Sequence, residues 1–233
     1  MVHENIQSLD EMEHLLKEDI LHKGGNITIS IGDIPKISHT RDIIGNCIQE
    51  WLPQWFKDNG LDLEPNKSTQ TFPDFIAHFA NRSEMVDIKC WNYKQSPGFD
   101  IANFDSFYSV VYNNPAKLFA KYLTIGYSPT RHGFTIEYVN LLNMWELVGK
   151  SAKYPLSLQV KRKRPYAIRP INFSKYPKKA FNDPVALIQA VRAARILFYP
   201  EEVHAHTLDS AQTPYTPNEW YEKVYNSIQP LIK

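Results

Sequence analysis

Residues 72–79, FPDFIAHF, and 84–91, EMVDIKCW, hold the information from which both architecture and chemistry can be worked out. Each is a short run of aromatic and branched residues, and Ala80-Asn81-Arg82-Ser83 separates them, so the pattern predicts two strands joined as a hairpin. In the second strand Val86, Ile88 and Cys90 alternate with Asp87 and Lys89. Side chains along a strand point alternately to opposite faces, so the apolar trio turns one way and the charged pair the other. One face is therefore expected to enter a core while the other presents an acid and a base side by side.

Upstream, Ser8 with Glu11 reads as a capping box for a helix whose apolar side carries Leu9, Met12, Leu15, Leu16 and Ile20, ended by Gly24-Gly25. NITISIGD (26–33) predicts a strand and a turn. A second helix is expected from about Thr40, with Ile43, Ile44, Cys47, Ile48, Trp51, Trp55 and Phe56, stopping at Asn59-Gly60. Pro53 lies inside it and should kink or split it. Downstream, helical signals around 103–121 precede strands near 121–127, 133–139 and 156–160. Asp183-Pro184 caps an apolar helix to about Tyr199, and Thr216 with Glu219 forms another capping box before a closing amphipathic helix. Strands and helices are mixed throughout, without internal repeats. The reading is one α/β (α+β) domain over 1–233, a mixed central sheet flanked by helices.

The bulk composition narrows the class. With 43% hydrophobic and 13% aromatic residues the chain is a folded globular one, not a disordered one. No apolar run approaches membrane-spanning length and the first residues are acidic and polar, so neither a secretory signal nor a membrane anchor is expected. Two cysteines, Cys47 and Cys90, make neither a disulfide framework nor a four-cysteine zinc site; the expectation is a cytoplasmic, reducing compartment. The net charge of +1 hides an uneven distribution. Between Glu146 and Asp183 there is no acidic residue, yet that interval holds ten basic ones, including Lys161, Arg162, Lys163, Arg164 and Arg169. The rest carries 16 basic against 25 acidic residues. A basic segment (147–182) in a near-neutral chain points to an anionic partner, with nucleic acid first among the candidates.

Phosphodiester hydrolysis needs hard cations, carboxylates to hold them, and a group that orients or activates water. Asp74 opens one strand of the hairpin, and Asp87 and Lys89 share a face of the other. That arrangement would converge two carboxylates on a metal and set an ammonium beside the scissile phosphate; the Ile88 carbonyl could add an oxygen ligand. Pro73-Asp74 is the only P-D pair in the chain and Asp87-Ile88-Lys89 its only D/E-x-K.

The pair F-P-D-F and V-D-I-K resembles the PD-(D/E)xK nucleases, and in particular type II restriction endonucleases of the EcoRV kind. The likeness extends through LEPNKSTQTFPDF, GFDIANFDSF (98–107) and YLTIGY (122–127), with a weaker echo at His204-Ala205-His206. The resemblance implies a restriction-endonuclease-like core and magnesium on Asp74 and Asp87. It also implies Lys89 acting on the nucleophilic water, and a homodimer around double-stranded DNA cut at a short palindrome. Such nucleases often add an acid from the helix before the sheet. Glu50 shares a predicted apolar face with Ile43 and Cys47 and is expected to point inward as a further catalytic and metal-binding carboxylate; Gln49 and Asp42 compete with it, and a surface charge at the helix end is the other reading of Glu50.

Base reading needs polar side chains on loops set by the catalytic sheet. Lys67, Ser68, Thr69, Gln70 and Thr71 precede Asp74 and resemble a DNA-contacting loop of the family. Asn92, Lys94 and Gln95 follow Lys89, and Arg169 sits in AIRPINF (167–173). His204-x-His206 lacks a visible third zinc ligand and reads as structural. No small-molecule cofactor and no membrane partner are expected. Two other functions compete with restriction: a repair or junction-resolving nuclease with the same core, and a DNA-binding module without catalysis.

Overall fold

The computed structural model describes residues 6–38, 43–65, 72–203 and 215–232. The chain divides into two compact units, one of residues 1–97 and 120–142, the other of 98–119 and 143–233. Among the described residues no helix is long and apolar enough to cross a membrane.

The first unit begins with α1 (Leu9–Ile20), where the Ser8 side chain accepts the Glu11 amide and Leu9, Met12 and Leu16 are buried. Short β1 (Gly24–Gly25) and the hairpin strands β2 (Ile27–Ile31) and β3 (Ile34–Ser38) follow, then α2 (Ile44–Asp58). β3 is a strand the composition did not announce, because Pro35 argues against one; it pairs with β2 as an isolated two-stranded sheet. α2 runs unbroken through Pro53, where a split was expected. Ile44, Ile48 and Leu52 before the proline and Trp55 and Phe56 after it are buried in one core, and that packing outweighs the one helix bond the proline removes.

The same unit contains β4 (Asp62–Pro65), β5 (Phe75–Phe79), β6 (Arg82–Asn92), β8 (Lys121–Pro129) and β9 (Phe134–Asn143). With β1 they form a mixed six-stranded sheet of order β1-β9-β8-β6-β5-β4, in which β6 and β8 are parallel. This is the mixed central sheet with packed helices that the sequence predicts. Ala77, Val86, Ile88, Leu123 and Ile125 from the sheet meet α1 and α2 residues in one core. The β5–β6 turn is tighter than expected: Phe79 pairs with Arg82, which leaves only Ala80 and Asn81 between the strands.

The second unit holds β7 (Ala102–Asn103), α3 (Phe104–Asn113), α4 (Met144–Leu147), β10 (Leu158–Lys161), β11 (Arg164–Ile168), α5 (Pro184–Phe198) and α6 (Pro217–Ile228). Asp183 caps α5 and Thr216 caps α6, each by accepting an amide from the first turn of its helix, as their sequences predict. Trp220 stacks on Tyr108 at 4.5 Å and donates its indole N–H to the Tyr108 carbonyl. Beside them Arg195, fully buried, forks onto both carboxylate oxygens of Glu202 and donates to Asp105 at 2.6 Å. Removing one member of such a buried network strands the remaining charge and typically costs about 3–5 kcal/mol. Arg195→Ala is therefore expected to lower stability by about that amount in urea denaturation. Arg195→Lys should recover only part of it, since an ammonium cannot fork onto a carboxylate.

Candidate active site

The core-facing side of β6 fixes what its other side can present. Val86 and Ile88 are each 1% exposed and pack against α2, so Asp87 and Lys89 are held on the opposite face. The ladder of β5 with β6 pairs Phe75 with Val86. Continued by one step it sets Asp74 across from Asp87. β5 begins only at Phe75, and the Ile88 amide there donates to the Asp74 side chain at 2.8 Å. Asp74 is thus anchored on the backbone between Asp87 and Lys89.

Asp87 is only 3% exposed. Burial pushes its carboxyl up from 3.8 to about 6; Lys89 works against that rise and Asp74 adds to it. The Lys89 ammonium lies 2.9 Å from Asp87 Oδ2. Among the described residues no group besides that ammonium donates to this buried oxygen. Burial by itself would lower the Lys89 ammonium, but Asp87, with Asp74 behind it, outweighs burial and holds it above its ordinary 10.5. The pair is Asp⁻ and Lys⁺ above about pH 6. Next along the strand, burial drives the Cys90 thiol up to about 12, so it remains a neutral, unreactive side chain.

α2 supplies a different side chain from the one expected. Glu50 does not point inward; it is exposed. The buried ridge of α2 runs through Ile44, Ile48 and Leu52, and two residues past Ile48 the helix has turned by roughly 200°. Gln49, half-buried, donates its side-chain amide to the Ile88 carbonyl at 2.8 Å. Among the described residues no group of three His, Cys, Asp or Glu is gathered for a metal. The oxygen set here is Asp74, Asp87 and the Ile88 carbonyl oriented by Gln49. Two carboxylates, one with a buried oxygen that among the described residues meets only the Lys89 ammonium, plus a carbonyl fit a hard divalent cation.

The other candidates divide. Asp42, Lys67, Ser68, Thr69, Gln70, Thr71, His204 and His206 lie outside the described residues. Lys94 and Gln95 are exposed just past β6, whereas the Asn92 side chain accepts the Lys94 amide and shapes that turn. In the second unit Arg169 is ion-paired with Asp100, a partner that no local sequence pattern identifies. Lys161, Arg162, Lys163 and Arg164 are exposed around the β10–β11 turn, with Lys161 over the Tyr166 ring. Arg162 and Lys163 both adopt positive φ, +51° and +63°. Asn or Gly would sit there more comfortably, so two cations occupy the tip at a conformational cost.

Comparison with known proteins finds relatives along most of the chain. The model of the NgoBV restriction endonuclease family matches residues 5–226. The type II restriction enzyme NlaIV of Neisseria lactamica is 31% identical over 212 residues, spanning 90% of this chain and 86% of that protein. The type II restriction enzyme NgoBV of Neisseria gonorrhoeae is 30% identical over 148 residues, 63% of this chain and 84% of its own. A solved structure of the NlaIV restriction endonuclease superposes with a TM-score of 0.80 at 26% identity, covering 97% of this chain and 90% of that one.

A carboxylate must be ionised to hold a cation, so a proton and a metal would compete for Asp87. Its raised pKa also means that the metal-free fold favours the protonated form; this contribution is complete below the ordinary carboxylate range and is lost as pH rises through about 6. Calcium or magnesium should therefore raise the melting temperature at about pH 8 and have little effect at about pH 5, with Asp87→Asn showing no metal response at either. Thermal unfolding with and without the ion measures this. Equal stabilisation at both pH values would remove Asp87 from the ligand set.

Proposed function

The chain belongs to the NgoBV restriction endonuclease family, and from that membership we propose that Asp74, Asp87 and Lys89 form its cutting centre, with magnesium as the ion and a short palindromic duplex as the target. A type II restriction endonuclease homologue acts on DNA, and hydrolysis of the phosphodiester is its reaction. The observation that carries the assignment is the buried Asp87 oxygen, met among the described residues by the Lys89 ammonium alone and lying across from Asp74. A purely structural ion pair needs its remaining lone pairs satisfied; a metal-binding carboxylate keeps one for the cation.

In this reading Asp74, Asp87 and the Ile88 carbonyl hold magnesium, and Gln49 keeps that carbonyl in place. A bound divalent ion polarises the phosphoryl oxygen and makes water a stronger nucleophile at neutral pH. Lys89, kept charged by Asp87, orients the attacking water and offsets the negative charge that grows on the phosphate oxygens as the P–O bond breaks. The exposed Lys94 and Gln95 beyond β6 are positioned to meet base edges, and segment 147–182, led by the Lys161–Arg164 turn, to meet phosphates. The family match crosses both units, which supports reading 1–233 as a single nuclease domain. A homodimer follows from one cutting centre per chain and two strands of opposite polarity to cut.

Lys89→Ala is expected to reduce single-turnover cleavage by on the order of a hundred- to a thousandfold while leaving DNA affinity in calcium unchanged. Asp87→Ala should abolish cleavage through metal binding, with partial recovery in excess magnesium. Near wild-type cutting by Lys89→Ala would remove the hairpin from the reaction.

Replacing Lys161, Arg162, Lys163 and Arg164 together with Ala should weaken binding to every duplex alike. It should also flatten the slope of log affinity against log salt by about 0.9 for each phosphate that the turn no longer neutralises. Titrations at several salt concentrations measure it, and an unchanged slope would make the turn an ordinary solvated loop.

A further inference from the structure

In the second unit the main chain holds Arg169 in place. Arg169 directly follows β11, and Asp100 stands just before β7. These two strands are antiparallel neighbours, with Ile168 paired to Ala102. The Ile101 amide donates to the Ile168 carbonyl and the Arg169 amide to the Ser157 carbonyl, each at 2.9 Å. Ile101 and Ile168 are buried. Both charged side chains therefore leave a backbone that is fixed next to them, on the surface side of a packed sheet. There Arg169 Nη1 donates to Asp100 Oδ1. The pair remains open to solvent, with the Arg169 side chain 29% and the Asp100 side chain 45% exposed. Among the described residues the Nε–Nη2 edge of the guanidinium, two parallel N–H groups, has no partner.

We propose that Arg169 reads a guanine of the target duplex, donating through this edge to O6 and N7 in the major groove, and that Asp100 is the positioning residue that aims it. The proposal rests on the site-specific DNA-cleaving reading above and adds a base contact to it. An exposed ion pair contributes little to stability, so the fold gains little from holding Arg169 this way. Charge separates the base from the backbone as the partner. The Asp100 carboxylate offsets the guanidinium charge and repels a phosphate oxygen that comes near it, which makes the pair a poor backbone anchor beside the exposed Lys161, Arg162 and Lys163. A neutral base edge meets no such repulsion. Two parallel N–H groups need two adjacent acceptors. Guanine offers them in the major groove, whereas adenine sets an amino group where O6 would stand, so that donor faces donor. A guanidinium already held by a carboxylate also loses less rotamer freedom when it meets DNA.

Cut ends mapped on a plasmid of known sequence give the target, and synthetic duplexes carrying it then receive 7-deazaguanine at each guanine in turn. That base pairs as guanine does but has a C–H in place of the N7 acceptor. At one guanine the wild type should cut on the order of tenfold more slowly under single turnover, and Arg169→Ala should show no such difference there. Arg169→Lys, which keeps the charge without the fork, should lose the difference too. Asp100→Asn separates aim from charge. It should discriminate less between guanine and adenine at that position, yet bind duplexes lacking the target more tightly in calcium, because an unanswered cation meets phosphate. A merely structural pair would move neither quantity. Equal 7-deazaguanine penalties in wild type and Arg169→Ala at every position, or a target without guanine, would overturn the proposal while DNA cleavage stands. Uniformly weaker binding of all duplexes by Arg169→Ala, with a salt slope flatter by about 0.9, would overturn it in favour of a phosphate contact. A wild type that cuts plasmid at no fixed sequence would overturn the site-specific reading on which the proposal rests.

Discussion

The pairing register of β5 against β6 is the constraint on which the candidate site depends. Because side chains alternate, a slip of one residue would move Val86 and Ile88 out of the core and send Asp87 and Lys89 into it. The core contacts of Val86 and Ile88 with α2 forbid that slip. The same register brings Asp74 to Asp87, at the point where β5 ends and the Ile88 amide is left to the Asp74 carboxylate. An apolar packing preference thus fixes a polar geometry, without any attraction between the two acids.

Bringing those acids together in a buried place is unfavourable, and the chain answers that cost in two ways. Lys89 neutralises Asp87 from two residues away, and Asp74 commits one oxygen to a main-chain amide. Asp87 Oδ2 has, among the described residues, no donor besides the Lys89 ammonium. Its raised pKa is the same fact in another form: without a cation the carboxyl prefers its proton. Local sites that break the rule of satisfying every buried polar group are where function is expected. Membership in the NgoBV family gives that expectation a reaction, DNA cleavage, in place of the repair or non-catalytic alternatives.

Much of this is legible in the sequence because it rests on short-range rules. The Ser8, Asp183 and Thr216 caps mark helix starts, and the V-D-I-K alternation marks a half-buried strand; each depends on neighbours a few residues apart. Which side of α2 faces the site is not legible. Ile43, Ile44, Cys47, Ile48 and Trp51 wrap apolar character around much of the helix, so its periodicity does not give the phase. It points to Glu50 as the inward residue, whereas Gln49 makes the contact. Pro35 conceals β3 and Pro53 suggests a break, because proline's local penalty is visible in sequence while the tertiary packing that overrides it is not. The Arg169–Asp100 and Arg195–Asp105 pairs join residues far apart in the chain, and no local pattern announces them.

The proposed divalent cation lies between Asp74 and Asp87, at the end of the β5–β6 ladder. Iron(II) substituted for magnesium, with ascorbate and peroxide, generates hydroxyl radicals that cut the polypeptide next to the bound ion. Mass spectrometry of the fragments then reads the ion's position directly. The account predicts cuts clustered around residues 73–75 and 86–89, lost in Asp87→Asn and suppressed by excess magnesium. Cuts that fall elsewhere in the chain, or that persist unchanged in Asp87→Asn, would contradict it.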